Sequence, residues 1–195
     1  FQHLLPPTRG PHSYYYSIAS RLKPGNAAMN VFLGLNKSAE ELGLRRQSTW
    51  AFTTNRINRH VDDYFNSDLN AAMDSEVPLL FISFPSSKDP EFTKHPSRKD
   101  KATCPIVTLG NWDWFKDFKD RPVKKRGDDY EEVKNRFGHQ MIEQTCVLFP
   151  QLRDCIDFTE IGSPVTNRHY IGQPHGEIYG IDHSLERSGA SGGNY

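Results

Sequence analysis

The residue types that could do chemistry are concentrated in one stretch of the sequence, GSPVTNRHYIGQPHGEIYGIDHS, which runs from Gly162 to Ser184. Three histidines and two tyrosines lie there among four glycines and two prolines. Histidine and tyrosine side chains transfer protons, and histidine also binds metal ions. Glycine lets the backbone approach a ligand closely because it has no side chain. The stretch is therefore a candidate metal site, catalytic cluster or backbone platform for a flat ligand.

The spacing of the histidines disfavours a metal site. His169, His175 and His183 are six and eight residues apart, so no pair has the four-residue spacing that puts two imidazoles on one helical face. A hydrolase site is equally disfavoured, because no G-x-S-x-G motif surrounds a serine and no cysteine lies in a motif typical of thiol enzymes. We expect the histidines to be solvated or packed rather than to bind metal.

The glycines favour the backbone platform. Gly176 and Gly180 flank Tyr179, which indicates that the chain comes close to a partner there. Ser163 is a good N-cap for a short helix predicted over residues 164–171, and a helix N-terminus suits an anionic or planar partner. Composition alone also allows an ordinary glycine-rich turn, which is the more frequent structure.

The composition restricts the class of protein. Of 195 residues, 24 are basic and 24 acidic, and this zero formal net charge gives no indication of a nucleic-acid partner or an anionic membrane. Hydrophobic residues make up 36% of the chain, enough to form a core. The three cysteines are an odd count without a C-x-x-C pair, which favours a reducing compartment. The longest apolar run, from Val77 to Phe84, is too short to cross a bilayer, and no signal peptide is recognised.

Hydrophobic patterns and turn residues predict the elements that must position these residues. Strands are predicted over residues 28–35, 48–54, 78–86, 104–111 and 155–161, and helices over residues 11–22, 60–73, 128–149 and 164–171, with a further helix starting at 112–118. The connections are uneven, which indicates an α+β fold with a mixed or antiparallel sheet and helices on one face.

The best helical pattern is DDYEEVKNRFGHQMIEQTCVLF, in which apolar residues recur at three- and four-residue steps. Asp128 together with Glu131 is expected to cap its start. Gly138 inside the helix costs about 1 kcal/mol relative to alanine, which indicates that another element packs closely there. A second capping box is predicted at Ser38 with Glu41.

The stretch GSPVTNRHYIGQPHGEIYGIDH resembles the G-[ST]-P-L-T-N…Y…P-x-G-x-x-Y-G-x-D-H segment of the all-trans-retinol 13,14-reductases, or retinol saturases. These flavoproteins are related to phytoene desaturases and carotenoid isomerases. Other blocks are similar to the same family in the same order: KPGNAAMNVFLGLNKSAEELGL, QSTWAF, PLLFISFPSSKDPEF, WDWFKDF, KKRGDDYEEVKNRF and LFPQL. The resemblance covers residues 1–185. His175 and Ser184 depart from it, because the family pattern has arginine and aspartate there.

The resemblance implies a piece of a larger FAD-dependent oxidoreductase, whose Rossmann unit with its G-x-G-x-x-G motif is not among these residues. Residues 1–161 would be the substrate-binding region, residues 162–186 a strand–helix–loop returning to the flavin, and residues 187–195 a flexible tail. It also implies NAD(P)H as the electron source, a retinoid or polyene as the substrate, and association with the endoplasmic reticulum membrane through other segments. Without the Rossmann unit, we expect these residues to bind FAD weakly or not at all.

The reaction implied by the resemblance is saturation of one double bond of a polyene alcohol, with a hydride from reduced flavin and a proton from the protein. The strands NVFLGL, PLLFISF and PIVTLG are expected to wall an apolar slot. The implied site residues are Tyr179, His183 and Tyr170 as candidate proton donors and Thr166, Gly176 and Gly180 as candidate cofactor contacts. Two alternatives stay open: a non-enzymatic lipid- or partner-binding domain derived from the family, and a relative that acts on another carotenoid or isoprenoid.

Overall fold

Five antiparallel strands form one open sheet in the computed structural model, which describes residues 21–185 and 187, and their spatial order is β2-β3-β4-β1-β5. The strands are β1 Ala27–Leu35, β2 Thr49–Phe52, β3 Leu79–Ile82, β4 Ala102–Gly110 and β5 Ile156–Gly162. The helices are α1 Ile57–Phe65, α2 Leu69–Asp74, α3 Pro85–Lys88, α4 Asp128–Leu148 and α5 Pro164–Ile171. Short 3-10 helices cover Phe92–Lys94, Pro96–Arg98, Trp112–Trp114, Lys116–Phe118 and Pro150–Cys155. The predicted α+β fold is confirmed, and its sheet is antiparallel.

One face of the sheet forms the hydrophobic core and is called the inner face below. Side chains alternate along β1, so Val31, Leu33 and Leu35 point to the same side, and all three are buried. Val31 pairs with Ile106 on β4, which in turn pairs with Ile82 on β3, and both partners are fully buried. This continuous row of branched side chains packs against helix α4.

Helix α4 covers the inner face with an apolar stripe that includes Tyr130, Phe137 and Met141. Gly138 lies on the same helix, and a Cβ built there would be 2.2 Å from the Cδ1 atom of Ile161 on β5. No side chain fits between the two elements. The close packing predicted at Gly138 is thereby confirmed, and Ile161 is the partner.

The single helix predicted over residues 60–73 is wrong, because the segment forms two helices, α1 and α2. The Ser67 hydroxyl donates to the carbonyl of Tyr64 at 2.6 Å, which ends the first helix. The Asp68 carboxylate accepts from the amide of Ala71 at 2.9 Å, which starts the second. Local polar side chains thus satisfy the backbone at the break and outweigh the periodic apolar pattern.

Three further predictions need correction. The strand expected over 78–86 ends at Ile82, because Pro85 begins the short helix α3. The helix expected to start at 112–118 is instead two 3-10 helices, which lay the Trp114 ring on Phe137 with centroids 5.3 Å apart. The cap of α4 is Gly127, with a φ of +96°, and not Asp128 with Glu131, so the cap residue has no side chain that could accept from the first amides.

The other elements agree with the predictions to within two residues. Ser38 and Glu41 form the predicted reciprocal capping contacts, at 2.9 and 3.2 Å, although the segment is a turn. The amide and hydroxyl of Ser38 hold the pKa of the Glu41 carboxyl below its usual value. The predicted helix over 11–22, apart from its last two residues, and the predicted tail over 187–195, apart from residue 187, lie outside the described residues.

Candidate functional site

The face of the sheet opposite α4, called the outer face, carries a row of aromatic side chains. Trp50, Phe81 and Val107 are successive cross-strand partners on β2, β3 and β4, so they lie side by side. The rings of Trp50 and Phe81 have centroids 5.0 Å apart. Phe32 on β1 and Phe158 on β5 continue the same face. The outer face therefore carries aromatic residues from one edge of the sheet to the other, interspersed with polar side chains.

Much of this aromatic surface is open to solvent. Trp50 is 60% exposed, Phe158 is 58% exposed and Phe32 is 49% exposed. Single exposed apolar residues are ordinary on protein surfaces, but a contiguous apolar patch marks a binding surface. Gly34 shapes this patch, because a Cβ there would come within 3.1 Å of the Cβ atom of Phe158. The ring of Phe158 consequently lies beside β1 with no side chain between them.

The predicted walls of the apolar slot are neighbours in the structure, since β3, β4 and β1 are consecutive in the sheet. The sequence reasoning missed which side of these strands carries the open surface, and it missed Trp50 and Phe158 altogether. One signal was present: Phe32 occupies the phase of β1 that it shares with Asn30 and Gly34, where a strand with one solvated face has polar residues.

Helix α5 starts where β5 ends, as the N-cap predicted. The Ser163 hydroxyl accepts from the amide of Thr166 at 3.4 Å, and Gly172 ends the helix with a φ of +80°. The Tyr130 hydroxyl of α4 lies 2.8 Å from the Ser163 hydroxyl and 3.2 Å from that of Thr166. The hydroxyl of Thr166, a predicted cofactor contact, is therefore already engaged in contacts within the chain.

The loop that follows α5, residues 172–183, is anchored to the segment just before β1. The amide of Gly25 donates to the carbonyl of Gly180 at 2.8 Å, and the amide of Asp182 donates to the carbonyl of Lys23 at 2.9 Å. These bonds hold the loop against the N-terminal end of β1. The stretch that the sequence singled out is thus a fixed part of the fold at one end of the sheet.

The two glycines that flank Tyr179 differ in their surroundings. Gly176 has a φ of +71°, and a Cβ there would lie 2.1 Å from the carbonyl oxygen of Pro164. The close approach predicted for Gly176 is made to the chain's own helix. Gly180 has a φ of +72°, and a Cβ there would meet nothing within 4 Å. Of the three predicted cofactor contacts, Gly180 is the one with open space beside it.

The candidate proton donors divide into two groups. Tyr179 is 75% exposed, and its ring lies edge-on to His183 with centroids 6.3 Å apart. Tyr170 lies on α5, is also exposed, and packs edge-on against His169 at 4.7 Å. The structure brings Tyr179 and His183 together on the 172–183 loop and places Tyr170 with a different histidine. Their roles as proton donors stay predictions.

The remaining histidine and the cysteines have packing partners. The His175 ring lies edge-on to Trp112 at 5.4 Å, and its amide donates to the buried Glu177 carboxylate at 2.9 Å.

Within residues 21–185 and 187, no three His, Cys, Asp or Glu side chains are grouped to hold a metal ion. Burial raises the pKa of the Cys104 thiol to about 12, with Cys146 adding to the effect, so this thiol is a poor nucleophile at neutral pH.

The fold and the outer face define an α+β domain that buries one side of its sheet and leaves the other as an open apolar surface. No family model matches the chain. It is 34% identical over 171 residues, 88% of its length, to an all-trans-retinol 13,14-reductase of Danio rerio. It is 33% identical over 190 residues, 96% of its length, to the all-trans-retinol 13,14-reductase of Rattus norvegicus. An inactive all-trans-retinol 13,14-reductase of Danio rerio is 33% identical over 188 residues, also 96% of the chain.

These similarities confirm the resemblance predicted from the sequence. The chain spans 28% to 30% of the length of the curated relatives it matches. Relatives with and without the word inactive in their names are equally similar to it, at 33% identity. Identity alone therefore does not separate a working enzyme from an inactive one.

Proposed function

We propose that this chain is the polyene-binding part of a flavin-dependent reductase that saturates one double bond of a retinoid. The open aromatic outer face carries the proposal, because it occurs in a chain similar to proteins named as retinol reductases. Four spacings between neighbouring strands make the sheet about 19 Å wide, enough for a conjugated chain to lie across it. Apolar contact with such a chain stabilises the complex by about 25 cal/mol for each Å² removed from water.

Among the described residues, only the backbone near Gly180 has space to contact a flavin. The Thr166 hydroxyl contacts other hydroxyls, and Pro164 occupies the space beside Gly176, so neither residue is free to line a cofactor. Gly180 fits, because its backbone is bare on an open side. A bound flavin would supply the hydride for the reduction. Its dinucleotide would be held by segments outside this chain, and the backbone at Gly180 would line the flavin.

In this proposal the chain contributes binding, exclusion of water and a proton. The outer face holds the polyene flat, so that the reacting double bond has a fixed position relative to the 172–183 loop. Tyr179 and His183 are the proposed donors of the proton that completes the saturated bond, since imidazole and phenol groups serve as general acids. Covering the apolar face with substrate removes water from the reacting carbon atoms.

Binding of all-trans-retinol to the 195-residue chain tests the proposed role of the outer face. Phe32→Ser and Trp50→Ser remove two of its aromatic side chains, and each is expected to weaken binding about tenfold or more, because one aromatic contact contributes about 1.5–3 kcal/mol. Val147→Ser is the control, since Val147 is an even more exposed apolar residue but lies on α4, which covers the inner face. Quenching of intrinsic fluorescence measures the affinity. Equal affinities in all three variants would refute the role.

The non-enzymatic alternative is favoured by one observation, the similarity to a relative named inactive. In that case the outer face still binds retinoid, but the protein has no turnover for a substitution in the 172–183 loop to change. Location at the endoplasmic reticulum membrane remains a prediction from the family resemblance. Within the part of the chain that the structure describes, no helix is long and apolar enough to span a bilayer.

A further inference from the structure

A pocket lies away from the outer face, between the start of α4 and the end of α5. Its volume is about 580 Å³. Four basic side chains line it, Lys119, Arg121, Arg126 and Arg168, together with His169. No aspartate or glutamate is among the residues that line it. In a chain with a formal net charge of zero, this pocket concentrates one sign of charge.

Arg126 is the central group of this basic pocket. It is only 6% exposed, yet its Nε atom has no hydrogen-bond partner among the described residues. Its Nη2 atom donates to the carbonyl of Val165 over 3.4 Å, and its guanidinium lies 5.2 Å from the centre of the Tyr130 ring. Burying a cation with unfilled donors is costly unless an anion pairs with it. The guanidinium is therefore positioned for an anionic partner that reaches into the pocket.

Two of the three neighbouring cations are available to the same partner. Arg121 already pairs with Asp129 at 2.6 Å, so its charge is neutralised. Arg168 donates to the carbonyl of Pro174 at 2.8 Å and forms no ion pair with any described carboxylate. Lys119 is exposed and has no ion-pair partner among the described residues either. Lys119, Arg126 and Arg168 thus leave an uncompensated charge of about three at the pocket.

We propose that the basic pocket binds a phosphate or diphosphate group. Three uncompensated cations exceed what a single carboxylate would neutralise, whereas a diphosphate carries a matching charge. Guanidinium groups bind phosphate oxygens through paired N–H donors, and a lysine adds a point charge at the rim. This site goes beyond the proposed function, because none of its residues belongs to the outer face or to the candidate proton donors.

Calorimetric titration of the 195-residue chain with pyrophosphate tests the proposal. Lys119→Gln and Arg168→Gln alter side chains that are not buried, and each is expected to weaken binding about tenfold. Arg126→Met is expected to abolish binding, with circular dichroism showing whether the variant is folded. Lys99→Gln is the control, because Lys99 is exposed and lies outside the pocket. Absence of binding to the unaltered chain, or equal losses in Lys99→Gln and the pocket variants, would overturn the proposal.

Two further arms identify the source of the phosphate. ADP serves as a soluble diphosphate ester, and phosphatidylcholine vesicles with and without phosphatidic acid present a lipid phosphate. Binding of ADP that is weakened by Arg168→Gln assigns the pocket to a soluble phosphate ester. Co-sedimentation with phosphatidic acid vesicles that is weakened by the same substitution assigns it to a lipid headgroup. If neither probe depends on Arg168, and pyrophosphate binding does not depend on it either, the site is refuted.

Discussion

Two glycines near the C-terminal end show how differently one residue type can be constrained. Gly172 and Gly176 both have positive φ, at +80° and +71°. Around Gly172 a Cβ would meet nothing within 4 Å, so only the backbone conformation favours glycine there. At Gly176 a Cβ would overlap the backbone of Pro164, which cannot move without displacing the first turn of α5. The contact between the 172–183 loop and α5 depends on this missing side chain.

Gly176→Ala and Gly172→Ala form a matched pair of substitutions. Gly172→Ala is expected to lower the free energy of unfolding by about 1 kcal/mol, the cost of the left-handed conformation. Gly176→Ala adds an overlap with backbone atoms, so a loss of about 3 kcal/mol or more is expected. Urea denaturation followed by circular dichroism measures both values. Equal losses would show that the contact with Pro164 does not constrain the loop.

The proposed proton donors are tested in a chimera in which this chain replaces the matching segment of the rat reductase, because the chain spans 30% of that relative. Tyr179→Phe removes only the hydroxyl, and it is expected to slow turnover of all-trans-retinol about 100-fold or more. His183→Gln is also expected to slow turnover, since it removes the other proposed proton donor. Rates are measured by chromatography of the retinoid products.

Tyr170→Phe is the control for these variants, because Tyr170 packs with His169 on α5 and not with His183. It is expected to leave the rate within about threefold of the parent chimera. If Tyr179→Phe retains the full rate, Tyr179 is not the donor. If Tyr170→Phe alone loses the rate, the donor lies on the helix instead of the loop.

At the scale of elements, the sheet is tied to its covering helix through a pair of residues, Gly138 on α4 and Ile161 on β5. Their contact brings the helix axis close to the edge strand of the sheet. The strand carries Ile161 on its inner face and Phe158 on its outer face, so the same strand serves both surfaces. A shift of β5 at the inner contact would therefore also displace part of the aromatic outer face.

Gly138→Ala tests this contact. Alanine in a helix interior normally gains about 1 kcal/mol over glycine. Here the overlap with Ile161 is expected to reverse the sign and to destabilise the protein by about 1–3 kcal/mol. Ile161→Val removes the atom that a new Cβ would meet first, so the loss caused by Gly138→Ala is expected to shrink in the double variant. Additive losses in thermal or urea denaturation would contradict the contact.

At the scale of the whole molecule, the chain has two surfaces of opposite chemistry. The outer face is aromatic and open, whereas the basic pocket concentrates positive charge at the start of α4 and the end of α5. The curated relatives are more than three times as long as this chain. In the proposed function the outer face binds the polyene, and other segments bind the flavin dinucleotide.

The isolated 195-residue chain is accordingly expected to bind FAD more weakly than micromolar, because the described residues offer only the backbone near Gly180 to a flavin. The chimera with the rat reductase is expected to retain FAD through purification. Flavin fluorescence and calorimetry measure the two affinities. Micromolar or tighter binding to the isolated chain would show that the dinucleotide is held by these residues after all.

Features encoded by neighbouring residues were predictable from the sequence. Helix α5 was predicted with the bounds it has, because Ser163 caps its first turn and Gly172 ends it, and both act within a few residues. The close packing at Gly138 was also visible, since a glycine inside a strong helical pattern costs stability unless something takes the space. The same local rules explain the errors: Asp68 capped a second helix inside a continuous apolar pattern.

The sequence by itself determined the five strands and helices α4 and α5, and that the chain resembles retinol reductases. Only the tertiary structure decided the strand order, the side of the sheet that α4 covers, and hence that Phe32, Trp50 and Phe158 share one open surface. It likewise decided that Pro164 occupies the space beside Gly176, and that Arg126 is buried with no anionic partner among the described residues. These features depend on contacts between residues far apart in the chain, which no local pattern encodes.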